Sequence, residues 1–288
     1  MISQSYEFPY HRLYYFVGMV LLVWAQEVAP FNTAPTLSGA TTQLHMSTLQ
    51  YRTLPSLFPR TTPPYLAVIT ELDGCDSDER LKETLDALFK ATSSQHVDLV
   101  SVRITRTTDK AVRQRVLHLT QQLVMKSSKG KNFKVVVSSD WLETALDGGA
   151  HGIHFKETHR ELILETKKLR TDLLIGTSAH SVGSALDACR LYQPDYFFVG
   201  TCYLTASHPE KTSTKDLEGP SLPGQVVSAT EKMENRPVVF AIGGIDAKNC
   251  HEPVVKYGAH GVAVIRAVLA ADDPSLAAKE INQNMSLY

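Results

Sequence analysis

The sequence predicts an α/β protein, a (β/α)8 TIM barrel of about 225 residues behind an N-terminal extension of a different kind. Three observations predict it. Eight short apolar runs recur after Pro64; they are apolar nearly throughout, as strands covered on both faces must be; and the segments between them carry apolar residues at helical spacing. A doubly wound sheet normally uses five to seven strands and leaves the eighth run unexplained.

The runs follow in order. "YLAVIT" (65–70) opens the barrel, and "DERLKETLDALFKATS" (78–93) reads as the helix that returns the chain to the start of "DLVSVRI" (98–104). A second helix, "DKAVRQRVLHLTQQLVMK" (109–126), leads to "FKVVVSS" (133–139), after which come "GIHF" (152–155), "LLIGTS" (173–178) and "YFFVGT" (196–201). The last two are "PVVFAIGG" (237–244) and "GVAVI" (261–265), with a final helix behind them. A barrel places its chemistry at the C-terminal ends of these strands. A double glycine after strand seven, Gly243 and Gly244, and the strand-eight tip at Ile265 and Arg266, where a short helix begins, are therefore expected to form a phosphate cup from backbone N–H groups.

Bulk properties set bounds. The formal charge of −1 gives no global field for nucleic acid or an acidic membrane surface, so an anion must be held by a local site. Cys75, Cys189, Cys202 and Cys250 lie far apart without a CxxC pair, which predicts free thiols and excludes a zinc ribbon.

Residues 1–62 read as a separate unit from the barrel at 63–288. "LYYFVGMVLLVWAQE" follows His11 and Arg12 and has the short apolar core of a secretory h-region, with cleavage expected near Ala25. From Val28 to Thr70 there is no Asp or Glu, while Ser, Thr and Pro are common, the composition of a transit peptide. Together they predict plastid import across extra membranes. A membrane anchor, or an internal start at Met46, are the alternatives.

Several tips together resemble the thiamin-phosphate synthase and TenI-like (thiazole tautomerase) family over residues 65–281. The carriers are "YLAVIT", "GGAHGIHF", "IGTSAHS", "DYFFVGTCYLTASHPEK", "LEGPSLPG", "VVFAIGGI" and "GAHGVAVIRAVLAADDP". The resemblance implies binding of phosphorylated thiazole and pyrimidine ligands, with magnesium serving the synthase. It implies that Asp140 is the magnesium ligand, although the same residue is as good a helix N-cap. Arg103 would face pyrophosphate oxygens. Ser178 and His180 match the family's S-x-H, with His180 as the proton-moving group. Thr205 and Ser207 match the hydroxyls that hold thiazole phosphate, completing the cup of Gly243, Gly244, Ile265 and Arg266.

The match is uneven. Ser101 and Thr105 stand where the synthase carries glutamine and lysine, Ser139 where it carries the asparagine before the magnesium aspartate, His159 where the second magnesium carboxylate is expected, and His208 where the strand-six lysine is expected, with Lys211 nearby. The thiazole-phosphate half is thus retained and the pyrophosphate half degraded, which is closer to the TenI-like branch, as is "LEGPSLPG". The function classes left are a synthase-like or tautomerase-like enzyme and a non-catalytic phosphate-ligand barrel. An indole-glycerol or ribulose-phosphate type enzyme is disfavoured because lysines are missing from the strand tips. A homo-oligomer is compatible with the sequence.

Overall fold

The computed structural model describes residues 58, 60, 62–71, 75–104, 107–130 and 133–286. Eight parallel strands close into a barrel in chain order. They are β1 (Tyr65–Ile69), β2 (Leu99–Val102), β3 (Lys134–Ser138), β4 (Gly152–Phe155), β5 (Leu174–Ala179), β6 (Tyr196–Val199), β7 (Val238–Ile242) and β8 (Gly261–Val264). The α-helices are α1 (Asp78–Ser93), α2 (Lys110–Ser128), α3 (Leu142–Asp147), α4 (Leu162–Leu169), α5 (Val182–Leu191), α6 (Leu222–Thr230), α7 (Arg266–Leu269) and α8 (Pro274–Asn284). All eight expected runs are strands. The expected final helix is two, with the four-residue α7 placed directly on the tip of β8.

Helix starts follow from capping chemistry. Ser77 accepts the Arg80 N–H ahead of α1, whose first turn is acidic and whose last carries Lys90. Asp109 caps α2 through Ala111, Ser181 caps α5 through Ser184, and Asp273 with Pro274 opens α8. Apolar side chains then divide into two layers. One, including Leu88, Leu119, Val135 and Ile153, lies between strands and helices. The other, including Leu99, Val136, Leu174, Tyr196, Phe198 and Phe240, fills the barrel interior.

The barrel also takes in residues expected to lie outside it. Phe58 is 3% exposed and packs on Tyr65, Phe240 and Tyr196 at centroid separations of 5.1, 5.7 and 6.4 Å. Arg60 pairs through Nε with Asp98 Oδ1 at 2.6 Å, and Asp98 also accepts the Leu66 N–H. Residues before Pro63 thus contribute to the core, because the N-terminal end of the barrel interior needs an apolar filler and the buried Asp98 needs a cation. The signal-like run, the transit-like composition before Phe58, Ala25 and Met46 fall outside the described residues. Among the described residues no helix is long and apolar enough to cross a membrane. All four cysteines are free and buried, and burial pushes the Cys202 thiol up to about 12, so it stays protonated.

Candidate active site at the C-terminal mouth

The strand tips group into five sets around the barrel mouth. At β1 and β2, Thr70 Oγ1 donates to the Arg103 carbonyl at 2.9 Å and accepts the Arg103 N–H at 2.8 Å, fixing the two tips together. Arg103 Nε, Glu71 Oε1 and, on β3, Ser138 Oγ are buried atoms without a hydrogen-bond partner among the described residues, with Arg266 Nε 3.9 Å from Glu71 Oε1. Native proteins seldom leave such atoms unpaired, so they mark a place where a polar ligand completes the set. Burial holds the Arg103 pKa below its ordinary value, opposed by the Glu71 carboxylate.

After β3, Asp140 sits in a 3-10 turn, Ser139–Trp141. Its carboxylate is 9% exposed and meets Lys156 Nζ at 2.6 Å, with His159 Nδ1 at 3.9 Å. Ser139 Oγ contacts the same His159 nitrogen at 3.0 Å. The N-cap alternative fails, since Trp141 occupies the cap of α3 and no side chain bonds there. The magnesium expectation meets a different obstacle. The Lys156 ammonium already pairs with Asp140, and the carboxylate of the loop after β4, Glu157, turns to Arg160 and Ser184. This donor set does not fit a resident magnesium ion, which wants several free oxygens around it.

Between β4 and β5 the 7%-exposed Arg160 donates to Thr177 Oγ1 and to Ser184 Oγ and carbonyl, and also to the Ser178 carbonyl. Beneath Ser178 lies His154, with Nε2 3.0 Å from Ser178 Oγ and Nδ1 3.2 Å from the Tyr196 hydroxyl. Its ring stacks on Phe198 at 4.4 Å. Burial, then the charge of Arg103, push the His154 pKa down to about 3, so the ring is neutral.

His180 follows on β5. Its Nδ1 lies 2.6 Å from the Gly200 carbonyl, which can only accept, so Nδ1 carries a hydrogen and Nε2 is the nitrogen left to exchange a proton. Nε2 is 4.0 Å from Glu157 Oε2, and Glu218 Oε1 is 3.7 Å from Nδ1. Glu218 accepts the Thr201 N–H at 2.6 Å and Lys211 Nζ at 2.7 and 2.6 Å. Burial works to raise the Glu218 pKa, but the Lys211 and Thr201 bonds outweigh it and hold the carboxyl below its ordinary value. Lys211 is thereby committed to Glu218, while His208 turns outward to Glu210.

The last set is the expected cup. Gly243 and Gly244 have φ of +101° and +63°. A Cβ on Gly244 would lie 2.5 Å from the Leu204 carbonyl oxygen, and one on Gly243 2.5 Å from the Thr201 methyl. The glycines are therefore required by the loop after β6, which crosses them, as well as by the turn. At β8, among the described residues, no side chain caps α7 at Ile265, so the N–H groups that open this short helix have no side-chain acceptor. Arg266 Nη2 reaches Thr205 Oγ1 at 3.3 Å, and Thr205 Oγ1 also accepts the Ser207 N–H. The structure brings Thr205, Arg266 and the glycine tip together and gives Ser207 a backbone role beside them.

A family model described as thiamine monophosphate synthase matches residues 66–268. The chain belongs to this family. Among thiamine-phosphate synthases, that of Chloroflexus aurantiacus is 34% identical over 152 residues, covering 53% of this chain and 65% of the relative. The chain thus spans less than two thirds of the length of the curated relatives it first matches. The Streptomyces avermitilis synthase is 28% identical over 212 residues, covering 73% of this chain and 91% of its own. Thiamine phosphate pyrophosphorylase from Pyrococcus furiosus superposes with a TM-score of 0.59 at 24% identity, over 77% of this chain and 96% of that one, which supports the barrel fold. Glu218, Arg160, Lys156, Glu71 and His154 stand at or beneath the same mouth, and no role for them is read from the sequence. For Glu218 and His154 a signal was present, since they lie in "LEGPSLPG" and "GIHF".

Proposed function

We propose that the barrel binds a thiazole phosphate at the mouth and acts on it by proton transfer at His180, within thiamin metabolism and without a magnesium-pyrophosphate step. The observation that carries the reading is the uncapped four-residue α7 beside the Gly243–Gly244 turn, with Arg266 and Thr205 in contact at its edge. Short helices and glycine turns after the last two strands are where TIM barrels hold phosphate. With Nδ1 engaged by the Gly200 carbonyl, His180 exchanges its proton at Nε2, and Glu157 is placed to stabilise the imidazolium. The proton returns to another ring-side atom, so nothing but its position changes. Asp140 holds Lys156, and that pair favours this reading over the synthase.

The test is proton exchange into thiazole phosphate in heavy water. Exchange that is lost in His180→Asn while thiazole phosphate still binds supports the reading; unchanged exchange overturns it. One observation favours a second reading, thiamin-phosphate synthesis: Arg103 Nε, without a partner among the described residues, is a ready donor for a pyrophosphate oxygen. Thiamin phosphate formed from pyrimidine pyrophosphate, thiazole phosphate and magnesium would establish it. Plastid import belongs to the same proposal and rests on the composition of residues 1–62. A fluorescent fusion of that segment that stays outside plastids overturns it.

A further inference from the structure

We infer that Tyr196 and His154 form a buried relay that turns the Ser178 hydroxyl hydrogen outward, making Ser178 a hydrogen-bond donor to whatever occupies the mouth. Tyr196 is fully buried, and its hydroxyl has one hydrogen-bond partner among the described residues, His154 Nδ1 at 3.2 Å. A buried hydroxyl that donates to nothing is costly, enough to bias an equilibrium by about tenfold or more. Tyr196 therefore donates to Nδ1. A neutral imidazole carries one hydrogen, which is then on Nε2 and is given to Ser178 Oγ at 3.0 Å. With its oxygen accepting from below, the half-buried Ser178 is left with its own hydrogen facing the opening.

The packing is built for this chain of bonds. His154, Gly176 and Tyr196 share one level of the barrel, since His154 pairs with Gly176 and Gly176 with Tyr196. A Cβ on Gly176 would fall 1.9 Å from Tyr196 Cζ, so only glycine lets the phenol reach across to His154. Phe198 stacks on the imidazole and stops it tipping. The neutral state required of His154 agrees with the strong downward effect of its burial. Ser178 is then neither nucleophile nor base, because His154 gives it a hydrogen bond instead of taking its proton. It selects an acceptor, such as a phosphate oxygen or an unprotonated ring nitrogen. His154 and Tyr196 are positioning residues.

The ligand half of the inference rests on the proposed thiazole-phosphate site; the tautomer half does not. The protein is labelled with 15N-histidine and its ring nitrogens are read by long-range 1H–15N correlation, His154→Gln identifying the His154 signals. Expected is a neutral ring with hydrogen on Nε2 from about pH 5 to about pH 8. Hydrogen on Nδ1, or on both nitrogens, overturns the relay. In a second arm, thiazole phosphate affinity is compared across variants. Glutamine at 154 keeps the accept-then-donate order and holds affinity within about threefold, whereas His154→Met and Ser178→Ala lower it about tenfold; Ser178→Thr restores it. Equal affinity for His154→Gln and His154→Met overturns the orienting role. A wild-type protein that does not bind thiazole phosphate sinks the proposed function, and the tautomer measurement then decides the relay by itself.

Discussion

Replacing Phe58 with alanine tests whether the segment before Pro63 is part of the folded barrel. The ring is 3% exposed and makes edge or tilted contacts with Tyr65, Tyr196 and Phe240. A buried aromatic side chain withdraws roughly 150–250 Å² from water. At about 25 cal/mol per Å² this contributes roughly 4–6 kcal/mol, an upper bound because the unfolded chain already buries part of that area. Alanine keeps the Cβ, so a loss of about 3–4 kcal/mol is expected, within the range for buried Phe→Ala changes. For a domain of this size that lowers Tm by roughly 6–16 °C. Thermal unfolding followed by circular dichroism, with urea midpoints as a second probe, measures it. A shift under about 2 °C would refute the argument, since it would mean the ring leaves the barrel floor in solution.

Other consequences follow from the buried charges and the glycine tip. Arg60→Leu strips the cation from buried Asp98 and should cost about 3 kcal/mol at neutral pH by urea unfolding. Burial raises the folded pKa of Asp98 despite Arg60 and the Leu66 N–H, so the folded state holds that proton more tightly. Its contribution is most favourable below the unfolded value of about 3.9 and is lost as pH rises through the folded pKa. The Arg60 variant should accordingly lose least in acid, and an equal loss at all pH values would contradict this. Glu218 has the opposite sign: its depressed pKa makes its contribution present above the unfolded value of about 4.3 and lost as pH falls through the folded one. Lys211→Met should remove most of that acid-side slope in a stability-versus-pH profile. Gly244→Ala places a Cβ against two carbonyl oxygens at a positive φ, and inorganic phosphate binding by calorimetry should weaken at least about tenfold, while the distant pair of Arg60 and Asp98 stays formed.

The strands were legible because a strand covered on both faces must be apolar along its whole length, and five of the eight runs end at a polar or glycine residue, Thr70, Ser139, Ser178, Thr201 and Gly244. β2 shows the error this leaves. The run continues to Ile104, but the ladder stops at Val102 because Arg103 turns its guanidinium inward and Thr70 takes its N–H. The phosphate tip was also legible, as glycine pairs and short helices carry their conformational needs locally. What sequence could not give is which tip meets which. Asp140 finds Lys156 one strand away, Glu218 reaches back to Thr201 and His180, and Arg160 spans β4 to β5; these meetings depend on barrel stagger, which no local pattern encodes. A resemblance to a metal-using family pointed Asp140 at magnesium, whereas the group the fold sets against it is the Lys156 ammonium.

The interior connects the two ends of the molecule. Phe58 packs on Tyr196, Tyr196 bonds His154, and His154 bonds Ser178 at the mouth, so one column of side chains runs from the N-terminal floor to the candidate site. Close-packed interiors transmit displacement, and a hydrogen bond of 3.2 Å leaves little margin before it is lost. A cavity in place of the Phe58 ring would let Tyr196 sink toward the floor and away from His154. Phe58→Ala should therefore mix the His154 tautomers as well as lower Tm, while Phe58→Leu, which refills most of the volume, should recover both. If tautomer and stability separate in these two variants, the floor is filler only, and the relay is held by Gly176 and Phe198 without it.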